Sequence, residues 1–222
     1  MSLYGILTDR LRAVERLYDD AAGVFIERKR RIEAGEEPYQ PPPFNPDIDA
    51  LEPPFLAEWL EANEFQNVIG QACLSLVQSC LKDYLDGIFR RSGITAQADW
   101  FLSDRRNRVK GESWFGRYLA LFTDAYHIKW NESPVSTQDI EEINIARNDM
   151  QHGKPALGLN RYQTKQHGQR FPLGLFTDDV EKGLRKDGFL QNFALIYVSP
   201  EALKESISRV KTFCEFVENR TR

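Results

Sequence analysis

Cysteine is scarce in this chain: Cys73, Cys80 and Cys214 are the only three among 222 residues. An odd, low count excludes a disulfide framework as the basis of the fold. No CxxC or Cys/His spacing offers a zinc site. Cys73 and Cys80 lie seven residues apart on an apolar helical face, where a thiol reads as a small buried hydrophobe. Histidine is equally rare, with His127, His152 and His167 alone. There is no phosphate-cradling glycine loop, no GxSxG and no HExxH, so the common nucleotidase, serine-hydrolase and metalloprotease chemistries have no anchor. No apolar run is long enough to span a bilayer, and Asp9, Arg10 and Arg12 follow the first residues too closely for a secretory leader. A cytoplasmic location without membrane contact is the expectation. Basic charge is not in excess: the formal net charge of −4 excludes a general nucleic-acid coat, whose affinity needs many neutralised phosphates. It leaves a local basic cleft open.

Apolar material, by contrast, is ample. Hydrophobic residues make up 41% of the chain and aromatics 12%, enough for one sizeable core and one domain over residues 1–222. Residues 3–33 read as a long helix, with Leu7, Leu11, Val14, Tyr18, Ala21, Phe25 and Ile32 at three- and four-residue steps. That heptad-like seam suits a neighbouring helix or a second copy of the chain. Residues 36–54 are crowded with proline and read as a stiff crossover connector. Residues 55–91 carry an apolar stripe in steps of about four, which wraps around the helix and predicts contact on several sides. Gly70 inside it marks a bend or a close approach.

Arg105, Arg106, Arg108 and Lys110 form a basic loop, followed by a helix that Ser113 can cap. Ser136 with Asp139 resembles a capping box opening a helix over 137–152, which Gly153 and Pro155 stop. The acids of that helix read as residues of its capping end. From 153 to 198 the helical rhythm is lost, and Phe193, Leu195 and Tyr197 alternate like one strand of a small hairpin. Ser199 and Pro200 open a last helix. The fold class is all-α: a bundle of about five helices, with a proline-rich crossover and a small irregular or hairpin insertion before the last helix.

Chemistry concentrates at the end of the 137–152 helix. His127 reads as a packed or surface histidine, and His167, in a polar loop, as exposed and inert. Arg147 falls on the same helical side as Ile140, Ile143 and Met150, and a guanidinium on a core stripe is costly unless it is paired or lines a cleft. The run Arg147-Asn148-Asp149-Met150-Gln151-His152 resembles the Arg-polar-x-x-x-His motif of HEPN domains, helical bundles that include prokaryotic toxin and antiphage ribonucleases. The resemblance covers the helical core and the placement of the motif at a helix end. It does not cover residues 153–198.

That resemblance implies a metal-independent, cofactor-free endoribonuclease, a toxin or antiviral defence effector. It would cut single-stranded RNA by attack of the RNA's own 2′-hydroxyl on the adjacent phosphate. His152 would be the general base or acid, Arg147 the phosphate clamp, and Asn148 an orienting polar group. Arg105, Arg106, Arg108, Lys110, Arg161 and Lys165 are the candidate RNA-backbone contacts at the rim of the groove. In the family two chains pair so that both motifs face one cleft, so a homodimer is expected, with an antitoxin or regulatory protein as a possible further partner. HEPN toxins paired with nucleotidyltransferase antitoxins carry a tyrosine soon after the histidine, and this chain does not. The rival reading is a non-catalytic HEPN-like module that only dimerises or binds.

Overall fold

The computed structural model describes residues 2–41, 52–93, 113–152, 155–156, 159–162, 167–171, 173–186 and 196–221. Five long helices carry the architecture: α1 (Leu3–Glu33), α2 (Leu56–Arg91), α3 (Trp114–Tyr126), α4 (Thr137–His152) and α7 (Pro200–Arg220). A 3₁₀ turn at Trp130–Glu132 leads into α4. Between α4 and α7 lie a hairpin of β1 (Pro155–Ala156) and β2 (Leu159–Tyr162) and two short helices, α5 (His167–Arg170) and α6 (Asp179–Lys186). The fold is an all-α bundle with a small irregular insertion. No helix among the described residues is long and apolar enough to cross a membrane.

The helix ends follow local chemistry. Ser2, Ser113 and Ser199 each accept a backbone N–H with their side chain at the start of α1, α3 and α7, from Gly5, Gly116 and Ala202. Each satisfies one of the donors a helix start leaves open. The capping box forms: the Asp139 N–H donates to Ser136 Oγ at 3.1 Å, and the Ser136 N–H to Asp139 Oδ2 at 3.3 Å.

α2 is the central element, and it packs against α1, α4 and α7. This is what its wrapping stripe predicts. The seam of α1 is consumed inside the chain: Leu7, Leu11, Val14 and Tyr18 are buried in the core shared with α2 and α7. Ala22, one residue beyond the expected Ala21, is the buried member of the next turn. This seam is therefore not available to a second copy. The pairing of α1 with α2 is antiparallel, pinned by the Phe25–Phe65 stack (5.1 Å between ring centroids) and by Arg10–Asp83 at 2.6 Å. On the far side Phe213 of α7 is fully buried and gathers Phe115 and Trp130, at 5.6 and 5.7 Å between centroids.

β1 and β2 pair at Pro155–Tyr162, just after α4. Of the expected strand, Phe193 and Leu195 lie outside the described residues. Beside them, Ile196 makes a single antiparallel bridge to Thr177. The segment 196–198 is instead a strap across α2: the Val198 N–H donates to Asn67 Oδ1 at 2.9 Å and the Tyr197 hydroxyl to Asn63 Oδ1 at 2.8 Å. Ile196 and Val198 are buried, and the Tyr197 N–H donates to the Phe176 carbonyl at 2.9 Å. Gly70 is the close approach that its position foretold, because a Cβ there would lie 2.5 Å from the Val198 carbonyl oxygen. Gly70→Ala is expected to destabilise the chain by about 1–3 kcal/mol, the usual cost of forcing a filled core apart. Urea unfolding checks this, and an unchanged midpoint would mean the strap does not sit on α2. Much of the proline-rich connector, including Pro42, Pro43 and Pro46, lies outside the described residues.

Candidate functional site

α4 places its residues by simple periodicity. Ile140, Ile143, Ala146 and Met150 are buried, and Arg147 is carried half into the same layer. Its Nη1 donates to Asn148 Oδ1 at 3.2 Å, while its Nε is buried with no hydrogen-bond partner. Among the described residues no carboxylate pairs with Arg147. Burial pulls its guanidinium below the usual arginine pKa, the direction expected when a charge loses water without gaining a counter-charge. One turn earlier is Asn144, only 2% exposed. Its Nδ2 donates to the Ile140 carbonyl at 2.9 Å, and its Oδ1 is buried without a partner. Two unsatisfied polar atoms three residues apart on one helix are unusual in a packed interior. Spacing alone did not single out Asn144, since its distinguishing feature is the missing partner.

The other predicted residues divide as follows. His152 is the last residue of α4, one turn beyond Asn148, and its side chain lies outside the described residues. Arg161 is in β2, with its side chain likewise outside. Arg105, Arg106, Arg108, Lys110 and Lys165 lie outside the described residues altogether. Of the proposed groove, the structure brings together Arg147 and Asn148. His127 is exposed and ends α3 in a left-handed conformation, φ 55°, its N–H bonded to the Thr123 carbonyl; it is a surface histidine.

His167 reverses its sequence reading. It is 1% exposed, and its ring packs against Phe171 and Phe176. Its Nε2 donates to Glu142 Oε1 at 3.0 Å, and its backbone N–H donates to Asp149 Oδ2 at 2.9 Å. Glu142 Oε1 also accepts the Leu175 N–H at 2.6 Å, and Arg209 of α7 approaches Oε2 at 3.8 Å. Glu142 is thus no capping residue but a buried anchor, unlike Asp139. Glu142 and Asp149, seven residues apart, share one side of α4 and tie the insertion to it. A polar loop sequence conceals this, because the apolar partners of His167 come later in the chain.

The three thiols are free and buried. Desolvation pushes Cys73 up to about 11 and raises Cys80 and Cys214 as well, so none is activated as a nucleophile. Among the described residues no cluster of three or more His, Cys, Asp or Glu side chains is placed to hold a metal ion. No family model, curated protein or solved structure matches the chain.

Proposed function

We propose that the chain is a HEPN-type endoribonuclease of the cytoplasm, acting on single-stranded RNA without a metal or cofactor as a toxin or defence effector. The observation that carries this reading is Arg147: a half-buried guanidinium with one neutral hydrogen bond, to Asn148, and no carboxylate among the described residues. A desolvated cation in that state gains most from an incoming anion, and a phosphodiester offers two oxygens to its planar fork. His152, one turn beyond Asn148, supplies a group able to move a proton near neutral pH. In the reaction the ribose 2′-hydroxyl loses its proton and attacks phosphorus. The 5′-oxygen of the next nucleotide leaves and takes up a proton, and the product ends in a 2′,3′-cyclic phosphate. Arg147 would hold the non-bridging oxygens as their charge develops. A second copy of the chain and a protein that silences the activity are the partners this reading calls for.

The test is cleavage of a labelled single-stranded RNA in EDTA, with the 3′ ends identified. Cyclic phosphate ends without added metal support the reading. No cleavage, or cleavage only with added magnesium, overturns it. Absence of cleavage together with retained self-association would favour the rival binding module, which the exposed apolar face of α1 and α2 supports.

A further inference from the structure

α1 carries a second heptad series beside its buried seam. Ile6, Arg10, Ala13, Leu17, Asp20 and Val24 follow one another at steps of four, three, four, three and four, the spacing that keeps a stripe on one side of a helix. All six are exposed, with Leu17 at 50% and Val24 at 66%. Ile6, Leu17 and Val24 form an exposed apolar row on this side, and an exposed apolar patch rimmed by charge is the mark of an interaction surface. α2 continues the same surface. Phe65, Ala72 and Leu76 are exposed and spaced seven and four residues apart. Their neighbours in the series, Ile69 and Ser79, are half-buried, and Asp83, bonded to Arg10, ends it.

The stripe is complementary to itself in one register. When α1 is laid antiparallel on a second α1 about residue 15, Ile6 meets Val24, Ala13 meets Leu17 and Arg10 meets Asp20, each pair occurring twice. Every layer then sets apolar against apolar, small against large, or cation against anion. Sliding by one heptad in one direction sets Leu17 against Asp20, and in the other sets Arg10 against Ala13. The contacts Arg10–Asp83, Phe25–Phe65 and Arg28–Glu61 put residue 15 of α1 level with about residue 76 of α2. A two-fold axis lying in the interface, across both helices, turns α1 onto α1 in this register, keeps α2 beside α2 and passes near Leu76.

From this we infer that the outer face of the α1–α2 pair is the interface of an antiparallel two-fold homodimer, centred on Ala13, Leu17, Ala72 and Leu76. The inference holds whether or not the chain cuts RNA. α4 packs on α2 and α7 and leaves this stripe uncovered, so the interface does not of itself draw the two Arg147 sites into one cleft. Each copy carries its own.

Sedimentation and light scattering of the full chain at micromolar concentration test the association. Twice the chain mass is expected for the unaltered protein. Leu17→Glu is expected to weaken the dimer by about a hundredfold or more, since two exposed leucines lose their apolar burial and two carboxylates take their place. Helical circular dichroism should be unchanged, because the residue is outside the core. Asp20→Arg should weaken it by about tenfold, and Arg10→Glu added to it should restore it. Mixing Ala13→Cys chains with Leu17→Cys chains should give a disulfide dimer on oxidation, while Leu17→Cys chains alone should not. A monomer at these concentrations, a dimer that survives Leu17→Glu, failure of the charge exchange, or cross-linking of Leu17→Cys chains alone each overturns the inference.

Discussion

Replacing His152 with alanine is expected to reduce RNA cleavage by about 10²- to 10⁴-fold, the range that positioned general acid–base groups contribute, while thermal unfolding stays within a degree or two of the parent. The helix end explains the separation of the two effects. His152 is the last residue of α4, two residues past the buried Met150. Arg147→Ala is the sharper companion test. Removing one preorganised electrostatic donor costs about 10²- to 10³-fold in rate, so activity should fall by that order. Stability should hold or rise, because the substitution removes a desolvated charge with no carboxylate partner among the described residues. Loss of activity with equal or higher stability is the signature of a residue kept for a ligand. A guanidinium kept for packing would give the opposite result: lower stability and unchanged cleavage. If both variants cleave like the parent, the site has been misassigned.

The parts of this fold that were readable from sequence are those dictated by neighbours in the chain. Serines 113, 136 and 199 mark helix starts because a cap acts within three residues. The wrapping stripe of α2 announces burial on several sides because helical periodicity is local. Arg147 was visible as a charge on a core stripe for the same reason. What stayed hidden depends on distant partners. Glu142 and Asp139 are both acids in the first half of α4, yet one is a cap and the other an anchor. Only the arrival of His167 and Leu175, at sequence separations of 25 and 33 residues, makes the difference. The alternation at 193–197 reads as a hairpin strand because period two reports an extended chain and says nothing of what covers it. Here α2 covers its last part. The seam of α1 was read correctly as a contact surface, but periodicity cannot say whether the partner belongs to the same chain. The core chose α2 and α7 for that seam, leaving the second series exposed.

Glu142→Ala, in α4, is expected to loosen the attachment of the insertion and to destabilise the chain by about 2–5 kcal/mol. The carboxylate is 5% exposed and serves two buried donors with one oxygen: His167 Nε2 at 3.0 Å and the Leu175 N–H at 2.6 Å. Truncation leaves both without an acceptor in a site closed by Phe171 and Phe176. Each orphaned group costs about 1–3 kcal/mol. Arg209 also loses a carboxylate at 3.8 Å, but it keeps Asp139 at 3.0 Å and Glu205 at 2.7 Å, and so adds little. Gln preserves an acceptor oxygen while removing the charge, so Glu142→Gln should cost less than half as much as the alanine. Asp149 still holds the His167 N–H, so α5 should loosen before it detaches. The effect should therefore appear first as faster amide exchange over residues 167–177, with α1, α2 and α7 retaining their protection. Chemical denaturation followed by hydrogen exchange measures both parts. A loss no larger than the half kcal/mol typical of a surface substitution, or exchange that quickens evenly through the bundle, would show that Glu142 does not anchor the insertion to α4.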